Sequence, residues 1–340
     1  MAPIPPSFKV VRTDRELEME RVDLQLRAWG ADLVVLPDGT PEDLLAREVA
    51  DADLLLMCYA RITRRVLEGA SRLKAVIKYG VGIDAIDLDA ARERGIPVVN
   101  VPAYAEETVA EGAFMLLMAL FKRFGPIHQT MQREGWLWPE SRWLGRDLAG
   151  STLGLVGLGR IGRSVARMAA GFRMPVLAFD PHASVWPTGV ERCTDLRSML
   201  GRCDAVSIHC VLNAQTRHLV GAAELAAMKP GAVLVNVSRG EIVDEQALLS
   251  SLRSGQIGGA ALDVYGQEPL SPQGHALSPL YAMPQVLLWP HLTFYTEQAM
   301  QRLQDETLAR CTEALQGQPL SVASHDPRLR AQTQGVRFVD

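Results

Sequence analysis

The sequence lacks the features that mark secreted, membrane-bound and nucleic-acid-binding proteins. Its five cysteines are an odd number without a C-x-x-C pair, which indicates reduced thiols and not a disulfide framework. A formal net charge of −4 and a pI near 6.0 argue against a protein held by nucleic-acid phosphates. No apolar run approaches a membrane span, and the first residues lack the basic and apolar regions of a signal peptide. We therefore expect a cytoplasmic protein without nucleic-acid or membrane partners.

Length and apolar content indicate two globular domains. The 340 residues exceed the usual size of one domain, and 48% of them are apolar, enough for sizeable cores. His209 and Cys210 are adjacent, but no second ligand pair lies at a suitable spacing, so we expect no metal site.

Short apolar runs alternate with helical patterns, which is typical of parallel sheets covered by helices. The first series predicts helices at 41–50 and 64–70 and strands at 9–11, 33–36, 54–57, 75–78 and 98–101. The second series predicts helices at 161–171, 195–200, 222–228 and 245–253 and six strands at 153–156, 176–179, 205–209, 233–237, 260–264 and 286–289. Six strands in this pattern are typical of a dinucleotide-binding domain.

A glycine motif follows the first strand of the second series. Gly157-Leu-Gly159-Arg-Ile-Gly162 lies between that strand and a helical stretch. In this context Gly157 allows a tight turn, Gly159 lets the backbone approach a pyrophosphate, and Gly162 lets the helix pack close to the strand. The helix N-terminus then offers N–H groups and a positive dipole end to the phosphates.

An acid ends the next predicted strand. Asp180 follows residues 176–179, where its carboxylate can accept hydrogen bonds from both ribose hydroxyls. The same charge repels a 2′-phosphate, so the sequence predicts NAD as the cofactor and makes NADP less favourable.

Two long helical patterns, 106–123 and 296–315, belong to neither series. The first is apolar almost all round, so we expect it to be a buried bridge between domains, with a part in a subunit contact. The second is expected to return the chain to the first domain, and the polar tail from Gln318 is expected to be irregular. The predicted fold is α/β with two doubly wound parallel-sheet domains: a Rossmann domain, 102–292, inserted into a discontinuous flavodoxin-like substrate domain, 1–101 and 293–340.

Three polar residues follow predicted strands of the cofactor domain. Arg239, Glu268 and His291 each come after such a strand, and carboxyl ends of strands line the binding crevice of a doubly wound sheet. His291 suits proton transfer to a carbonyl oxygen, and Glu268 suits the other ring nitrogen. Arg239 offers a planar fork of donors to a carboxylate and the neighbouring carbonyl.

Five ordered motifs resemble the D-isomer-specific 2-hydroxyacid dehydrogenase family over nearly the whole chain. They are Tyr79-Gly-Val-Gly-Ile-Asp-Ala-Ile-Asp87, Gly154-Leu-Val-Gly-Leu-Gly-Arg-Ile-Gly162, Val235-Asn-Val-Ser-Arg-Gly240, Ala261-Leu-Asp-Val-Tyr-Gly-Gln-Glu-Pro269 and Pro290-His291. Ala103-Tyr104 and the aromatic residues after His291 resemble the D-lactate dehydrogenase and C-terminal-binding-protein branches.

The resemblance implies an NAD-dependent enzyme that reduces a 2-keto acid to the D-2-hydroxy acid. It implies that Arg239 binds substrate, that His291 is the acid/base with Glu268 as its partner, and that Asp263 lies by the nicotinamide. It further implies that backbone amides around Val81 and Gly82 take the substrate carboxylate. A homodimer is also expected. The remaining residues predicted to bind the cofactor are Arg160, Ile161, Cys210, Asn213, Thr216, Val237 and Ser238.

Position suggests which residues contact the substrate side chain. Tyr104, Trp138 and Phe294 are predicted to shape a pocket for bulky apolar groups, while Lys78 beside the substrate loop leaves open a further anionic group. Three alternatives remain: an NAD(H)-sensing binding protein of the C-terminal-binding-protein type, a dehydrogenase of a non-carbon acid, and a formate dehydrogenase. A binding protein of the C-terminal-binding-protein type would be expected to carry longer extensions, and a formate dehydrogenase would be expected to carry an extended N-terminus.

Overall fold

Buried apolar segments form the first parallel sheet of the computed structural model, which describes residues 3–339. Strands that are covered on both faces have near-continuous apolar sequences, which is why these segments were recognisable. The order β2-β1-β3-β4-β5 is the flavodoxin-like arrangement, and every pairing is parallel. The strands are β1 Phe8–Arg12, β2 Ala31–Val35, β3 Leu54–Met57, β4 Ala75–Lys78 and β5 Val98–Asn100.

Four helices connect these strands. The two predicted helices are present with slightly different ends, whereas α1 and α4 were not predicted. The helices are α1 Glu20–Ala28, α2 Glu42–Val49, α3 Arg64–Gly69 and α4 Leu88–Glu93. Asp87 caps α4 by accepting a hydrogen bond from the Ala90 backbone N–H.

The helix predicted at 106–123 is present and ends two residues earlier than expected. α5 spans Glu106–Phe121, and a further helix that was not predicted, α6, spans Phe124–Glu134. Arg123 lies between them with a left-handed φ of 52°, which separates the two helices. Both helices belong to the unit that holds the second sheet.

The second sheet has seven parallel strands, one more than predicted. They are β6 Leu153–Val156, β7 Val176–Phe179, β8 Val190–Cys193, β9 Ala205–Ile208, β10 Val233–Asn236, β11 Gly259–Leu262 and β12 Val286–Leu288. The order β12-β11-β10-β9-β6-β7-β8 is that of a Rossmann sheet with one added strand. The missed strand, β8, is a partly exposed edge whose sequence Val-Glu-Arg-Cys has no apolar run.

Helices cover both faces of this sheet and enclose two apolar cores. They are α7 Arg160–Gly171, α8 Leu196–Leu200, α9 Ala222–Ala227 and α10 Glu245–Ser254. α5 packs on α7, β10 and β11, so its apolar surface is largely buried within this unit. Short 3-10 helices occupy Ser141–Trp143, Gly240–Ile242 and Ser278–Ala282.

The C-terminal segment is more regular than predicted. α11 Glu297–Leu315 packs on α1 and β4, and a two-stranded parallel sheet follows it. The later elements are β13 Leu320–Val322, α12 Pro327–Arg330 and β14 Val336–Phe338. The side-chain amide of Gln332 bonds to both backbone groups of Val98, so this polar tail is anchored by specific hydrogen bonds that a pattern of apolar residues does not reveal.

The chain divides into two units. The first comprises Met1–Ala105 and Thr296–Asp340, and the second comprises Glu106–Tyr295. These divisions fall a few residues after the predicted boundaries at 101 and 292, while the predicted domain ends at residues 1 and 340 lie outside the described residues. None of the helices between residues 3 and 339 combines the length and the apolar composition that a transbilayer segment requires.

Candidate active site

The glycine motif forms a close-packed turn with an open side. Gly157 has a φ of 99°, and a Cβ there would lie 2.5 Å from the backbone nitrogen of Cys210. A Cβ at Gly162 would lie 2.4 Å from the carbonyl oxygen of Gly157. A Cβ at Gly159, the residue before α7, would meet nothing within 4 Å. The loop therefore has room for a pyrophosphate at the N-terminus of α7, and these residues fit a dinucleotide.

Asp180 lies directly at this loop. Its two carboxylate oxygens accept hydrogen bonds of 2.8 Å from the backbone N–H groups of Leu158 and His182. The acid thus ends β7 and at the same time holds the glycine turn in place. The negative charge is located where the sequence predicts the ribose hydroxyls of NAD.

Two further loops carry other residues predicted to bind the cofactor. The Ser238 hydroxyl donates a 2.5 Å hydrogen bond to the Cys210 carbonyl, which ties together the loops after β9 and β10. The Asn213 Oδ1 accepts from the Thr216 N–H at 3.0 Å, while the Thr216 hydroxyl bonds to the Val211 carbonyl at 2.6 Å. These two side chains therefore shape the 210–216 loop.

The last members of the predicted cofactor set have different environments. Val237 is 8% exposed, Ile161 packs on the core below α7, and Arg160 Nε lies 3.8 Å from Glu106 Oε2. Burial raises the pKa of the Cys210 thiol to about 12, so this group is a neutral thiol at physiological pH. We retain all four as predicted cofactor-binding residues.

His209 is a neighbour of the glycine loop that the sequence considered only as a metal ligand. Its Nε2 is 2.8 Å from the Ser207 hydroxyl, and burial lowers its pKa to about 3, so the ring is neutral. Its backbone carbon would lie 2.7 Å from a Cβ at Gly157. Sequence reasoning could have singled out His209 by its position at the end of β9. Within residues 3–339 no group of three or more His, Cys, Asp and Glu side chains is arranged to hold a metal.

Glu268 and His291, which are 23 positions apart, form a hydrogen-bonded pair. His291 Nδ1 lies 2.8 Å from Glu268 Oε2, and the other carboxylate oxygen accepts from the Tyr265 N–H at 3.0 Å. Burial favours the protonated carboxyl, but the His291 hydrogen bond and charge, the Tyr265 N–H and the charge of Arg239 outweigh it and lower the pKa of Glu268. Glu268 is therefore an anion at neutral pH, positioned to orient the imidazole.

Asp263 holds the backbone that follows His291. The carboxylate is fully buried and accepts from the Leu292 N–H at 2.8 Å, the Thr293 N–H at 3.2 Å and the Thr293 hydroxyl at 2.5 Å. His291 itself has a left-handed φ of 57°. Because this conformation is uncommon for a non-glycine residue, the three hydrogen bonds to Asp263 help to maintain it. The predicted contact of Asp263 with the nicotinamide remains a prediction.

Arg239 belongs to the same cluster. Its guanidinium donates to the Ser238 carbonyl at 2.7 Å, and its own carbonyl accepts from the Asn236 amide at 2.9 Å. A Cβ at Gly240 would lie 2.0 Å from the carbonyl carbon of Tyr265. The loop after β10 therefore touches the loop that leads to Glu268, which brings Arg239 close enough to influence the Glu268 carboxylate.

The predicted substrate residues are distributed over both units. In the first unit, the Val81 carbonyl accepts from the Asn100 amide at 2.6 Å, and Tyr104 is 5% exposed. In the second unit, the Phe294 ring contacts the His291 ring edge-on, with centroids 6.3 Å apart. Trp138 is 73% exposed and contacts Trp136 in the same manner. The structure therefore places Phe294 beside the His291–Glu268 pair, and does not place Trp138 there.

Comparison with known proteins gives the family. A family model described as the NAD binding domain of D-isomer specific 2-hydroxyacid dehydrogenases matches residues 114–293, more than half of the chain. The chain belongs to the D-isomer specific 2-hydroxyacid dehydrogenase family. Family membership confirms the predicted NAD-binding fold and places the chain among oxidoreductases that act on CH–OH donors with NAD.

Individual relatives of this dehydrogenase family support the assignment. A glyoxylate reductase from Korarchaeum cryptofilum is 39% identical over 266 residues, 76% of this chain and 79% of the reductase. A D-3-phosphoglycerate dehydrogenase from Methanocaldococcus jannaschii is 36% identical over 270 residues, 78% of this chain, which spans only 50% of that dehydrogenase. The structure of D-lactate dehydrogenase from Aquifex aeolicus complexed with NAD and lactic acid has a TM-score of 0.81 at 29% identity, covering 91% of this chain and 96% of that one.

Proposed function

We propose that the protein reduces a 2-keto acid to the corresponding D-2-hydroxy acid with NADH. The observation that carries this proposal is the 2.8 Å hydrogen bond between His291 and Glu268, at the strand ends where the same loop system carries Arg239. The relatives named above are dehydrogenases and reductases. An enzyme is therefore favoured over an NAD(H)-sensing protein of the C-terminal-binding-protein type.

His291 is the proposed proton donor for the developing alkoxide. NADH, when bound, would supply a hydride to the carbonyl carbon of the substrate. Because Nδ1 faces the Glu268 carboxylate, Nδ1 keeps its proton and Nε2 is the atom that delivers a proton to the carbonyl oxygen. Glu268 stabilises the charged imidazolium before this transfer and keeps the ring in one orientation.

Arg239 is the proposed donor to the substrate carboxylate and carbonyl oxygen. Its planar guanidinium can give two parallel hydrogen bonds, which fixes the orientation of the keto acid and polarises the carbonyl. The first unit is proposed to supply the N–H groups of Val81 and Gly82. Within residues 3–339 neither N–H donates a hydrogen bond, so both remain available to an anion.

The substrate side chain is proposed to contact apolar residues. Phe294, whose ring lies edge-on to that of His291, supports this proposal, and with the predicted residue Tyr104 it would favour keto acids with bulky apolar groups. Such substrates should exceed glyoxylate and pyruvate in kcat/KM. A clear preference for glyoxylate would exclude this assignment of the pocket.

A panel assay tests the activity directly. NADH oxidation is measured with glyoxylate, pyruvate and keto acids carrying branched or aromatic side chains, and the chirality of the product is determined. Formate and an inorganic oxyacid are tested with NAD in the opposite direction. If enzyme that binds NADH turns over none of the keto acids, the proposed reaction is refuted.

A homodimer is proposed from the surface of the second unit. Four large apolar side chains are strongly exposed between α6 and β6 or at the start of α6: Phe124 60%, Trp136 72%, Trp138 73% and Leu144 71%. A cluster of exposed apolar side chains is typical of protein contact surfaces. The resemblance to the family implies that the partner is a second copy of this chain. Light scattering coupled to gel filtration measures the mass, and a monomeric mass would refute the dimer.

A further inference from the structure

Lys78 is a buried cation in the first unit that the proposed reaction does not use. It is the last residue of β4 and is 6% exposed. Its Nζ donates to the Cys58 carbonyl, lies 3.4 Å from the Cys58 sulfur and 5.6 Å from the centroid of the Tyr59 ring. None of these contacts is with a carboxylate.

Lys78 forms no salt bridge with a carboxylate in the part of the chain that the structure describes. No carboxylate among residues 3–339 comes within 4.0 Å of its Nζ. Burying an ammonium group without an opposite charge destabilises a protein, and an apolar side chain of similar length would usually cost less. A cation kept in such a place is therefore best explained by an anion that binds to it.

Support of the neighbouring loop does not explain this lysine. Asp14 already anchors the Cys58–Tyr59–Ala60 segment, because its carboxylate accepts from the three backbone N–H groups at 2.7, 3.0 and 3.1 Å. The hydrogen bond from Lys78 adds one contact to a segment that Asp14 has fixed.

The ammonium group lies directly behind the substrate loop. A Cβ at Gly80 would be 3.1 Å from the Lys78 Nζ, so the absence of a side chain there leaves the cation next to the loop surface. The following two residues are Val81 and Gly82, whose N–H groups make no hydrogen bond within residues 3–339. Asn100 holds the Val81 carbonyl and so fixes the direction of the loop.

We propose that Lys78 is a specificity-determining residue that attracts the substrate carboxylate to the N–H groups of Val81 and Gly82. This inference rests on the proposed function, because that function places the carboxylate at this loop. The Lys78 ammonium and the N–H dipoles of Val81 and Gly82 act on the same substrate carboxylate. The low exposure of the ammonium limits its screening by water. The reacting carbonyl is not its target, so Lys78 affects substrate binding more than turnover.

The test compares Lys78→Met with a matched control, Lys74→Met. Methionine keeps the length of the buried stem and removes the charge. Lys74 lies just before the other end of β4, is 37% exposed, and pairs with Asp53 at 3.4 Å, so its removal takes the same charge from a distant site. The full-length enzyme with saturating NADH is used, and thermal unfolding confirms that each variant is folded.

Two measurements separate charge recognition from packing. KM and kcat are determined for the best 2-keto acid of the panel. Binding of oxamate, which has a carboxylate, and of oxamide, in which an amide replaces it, is measured by calorimetry. Lys78→Met should raise KM and the oxamate Kd about tenfold, equivalent to about 1.4 kcal/mol, with less than about a twofold change in kcat. Oxamide binding and all values for Lys74→Met should stay unchanged.

The outcomes distinguish this inference from the proposed function. If keto acids are reduced and Lys78→Met has the KM of the wild type, Lys78 is not part of the site and the proposed function stands. If keto acids are not reduced but oxamate binds in a Lys78-dependent way, the anion site stands and the proposed reaction fails. An effect confined to dicarboxylic keto acids, equal losses for oxamate and oxamide, or no oxamate binding to the wild type would each overturn the inference.

Discussion

Replacing Glu268 by glutamine perturbs the central pair with little change in shape. Glutamine retains an oxygen for the Tyr265 N–H and a polar group beside His291 Nδ1, but it removes the negative charge 2.8 Å from that nitrogen. The imidazolium then loses its main electrostatic partner. The variant therefore isolates the charge of Glu268 from its volume.

The size of the effect follows from this geometry. A hydrogen bond to a charged group contributes about 1.5–3 kcal/mol. The side chains of His291 and Glu268 are 26% and 31% exposed, so water screens part of the attraction and the lower half of that range applies. We expect kcat/KM for keto acid reduction to fall at least about tenfold, equivalent to about 1.4 kcal/mol, with a change in one limb of its pH profile.

The assay follows NADH absorbance across the pH range and has a matched control. Glu245→Gln makes the same chemical change at a carboxylate that accepts from the Gly266 N–H at 2.7 Å, on the loop leading to Glu268. Its profile should match the wild type, and the NADH Kd of both variants should be unchanged. A Glu268→Gln profile that superposes on the wild type would refute the proposed role of the pair.

The same variant carries a stability signature with a defined sign. The pKa of Glu268 is lowered in the folded state from an ordinary value of 4.5. Its ionised form therefore stabilises the fold above about pH 4.5, and this stabilisation is lost as the pH falls through the lower folded-state pKa. The Tm advantage of the wild type over Glu268→Gln should be present at neutral pH and decline on acidification. A constant difference would contradict the pKa shift.

Three further substitutions test other parts of the site. Asp180→Ala should raise the kcat/KM ratio of NADPH to NADH about tenfold by removing repulsion of the 2′-phosphate; an unchanged ratio in cofactor assays would exclude Asp180 from the ribose site. Gly240→Ala places a Cβ 2.0 Å from Tyr265 and should lower the free energy of unfolding by at least about 1–3 kcal/mol in urea titrations, whereas wild-type stability would show that the loops do not touch. Asp263→Asn removes one hydrogen-bond acceptor for the segment after His291, so the free energy of unfolding should fall by about 1–3 kcal/mol, and kcat and Tm should fall with it. A wild-type kcat would show that Asp263 does not position His291.

Most strands could be predicted because of where they lie in the fold. A strand with both faces covered is apolar at nearly every position, so segments such as Leu54–Met57 and Val233–Asn236 are visible as almost continuous runs. The edge strand Val190–Cys193 is partly exposed and pairs on one side, so polar residues are tolerated and the pattern disappears. The helix Phe124–Glu134 was not predicted for another reason, since its sequence mixes polar and apolar residues and contains glycine and proline.

The sequence predicted three chemical groups of the site but not the contacts that support them. Arg239, Glu268 and His291 were visible because polar residues at strand ends stand out against apolar runs. The supporting contacts of Asp263 were not visible, because a fully buried acid is satisfied by backbone N–H groups that have no sequence signature.

The sequence by itself determined the cofactor class, most of the strands and the chemical types available at their ends. These properties depend on local patterns: apolar runs, a glycine turn and the residue that follows each strand. Tertiary structure alone decided that Asp263 holds the backbone after His291, and that Lys78 is buried with no carboxylate of residues 3–339 within 4.0 Å of its Nζ. Each depends on which distant segments pack together within its own unit, and that packing is not set by any local stretch of residues.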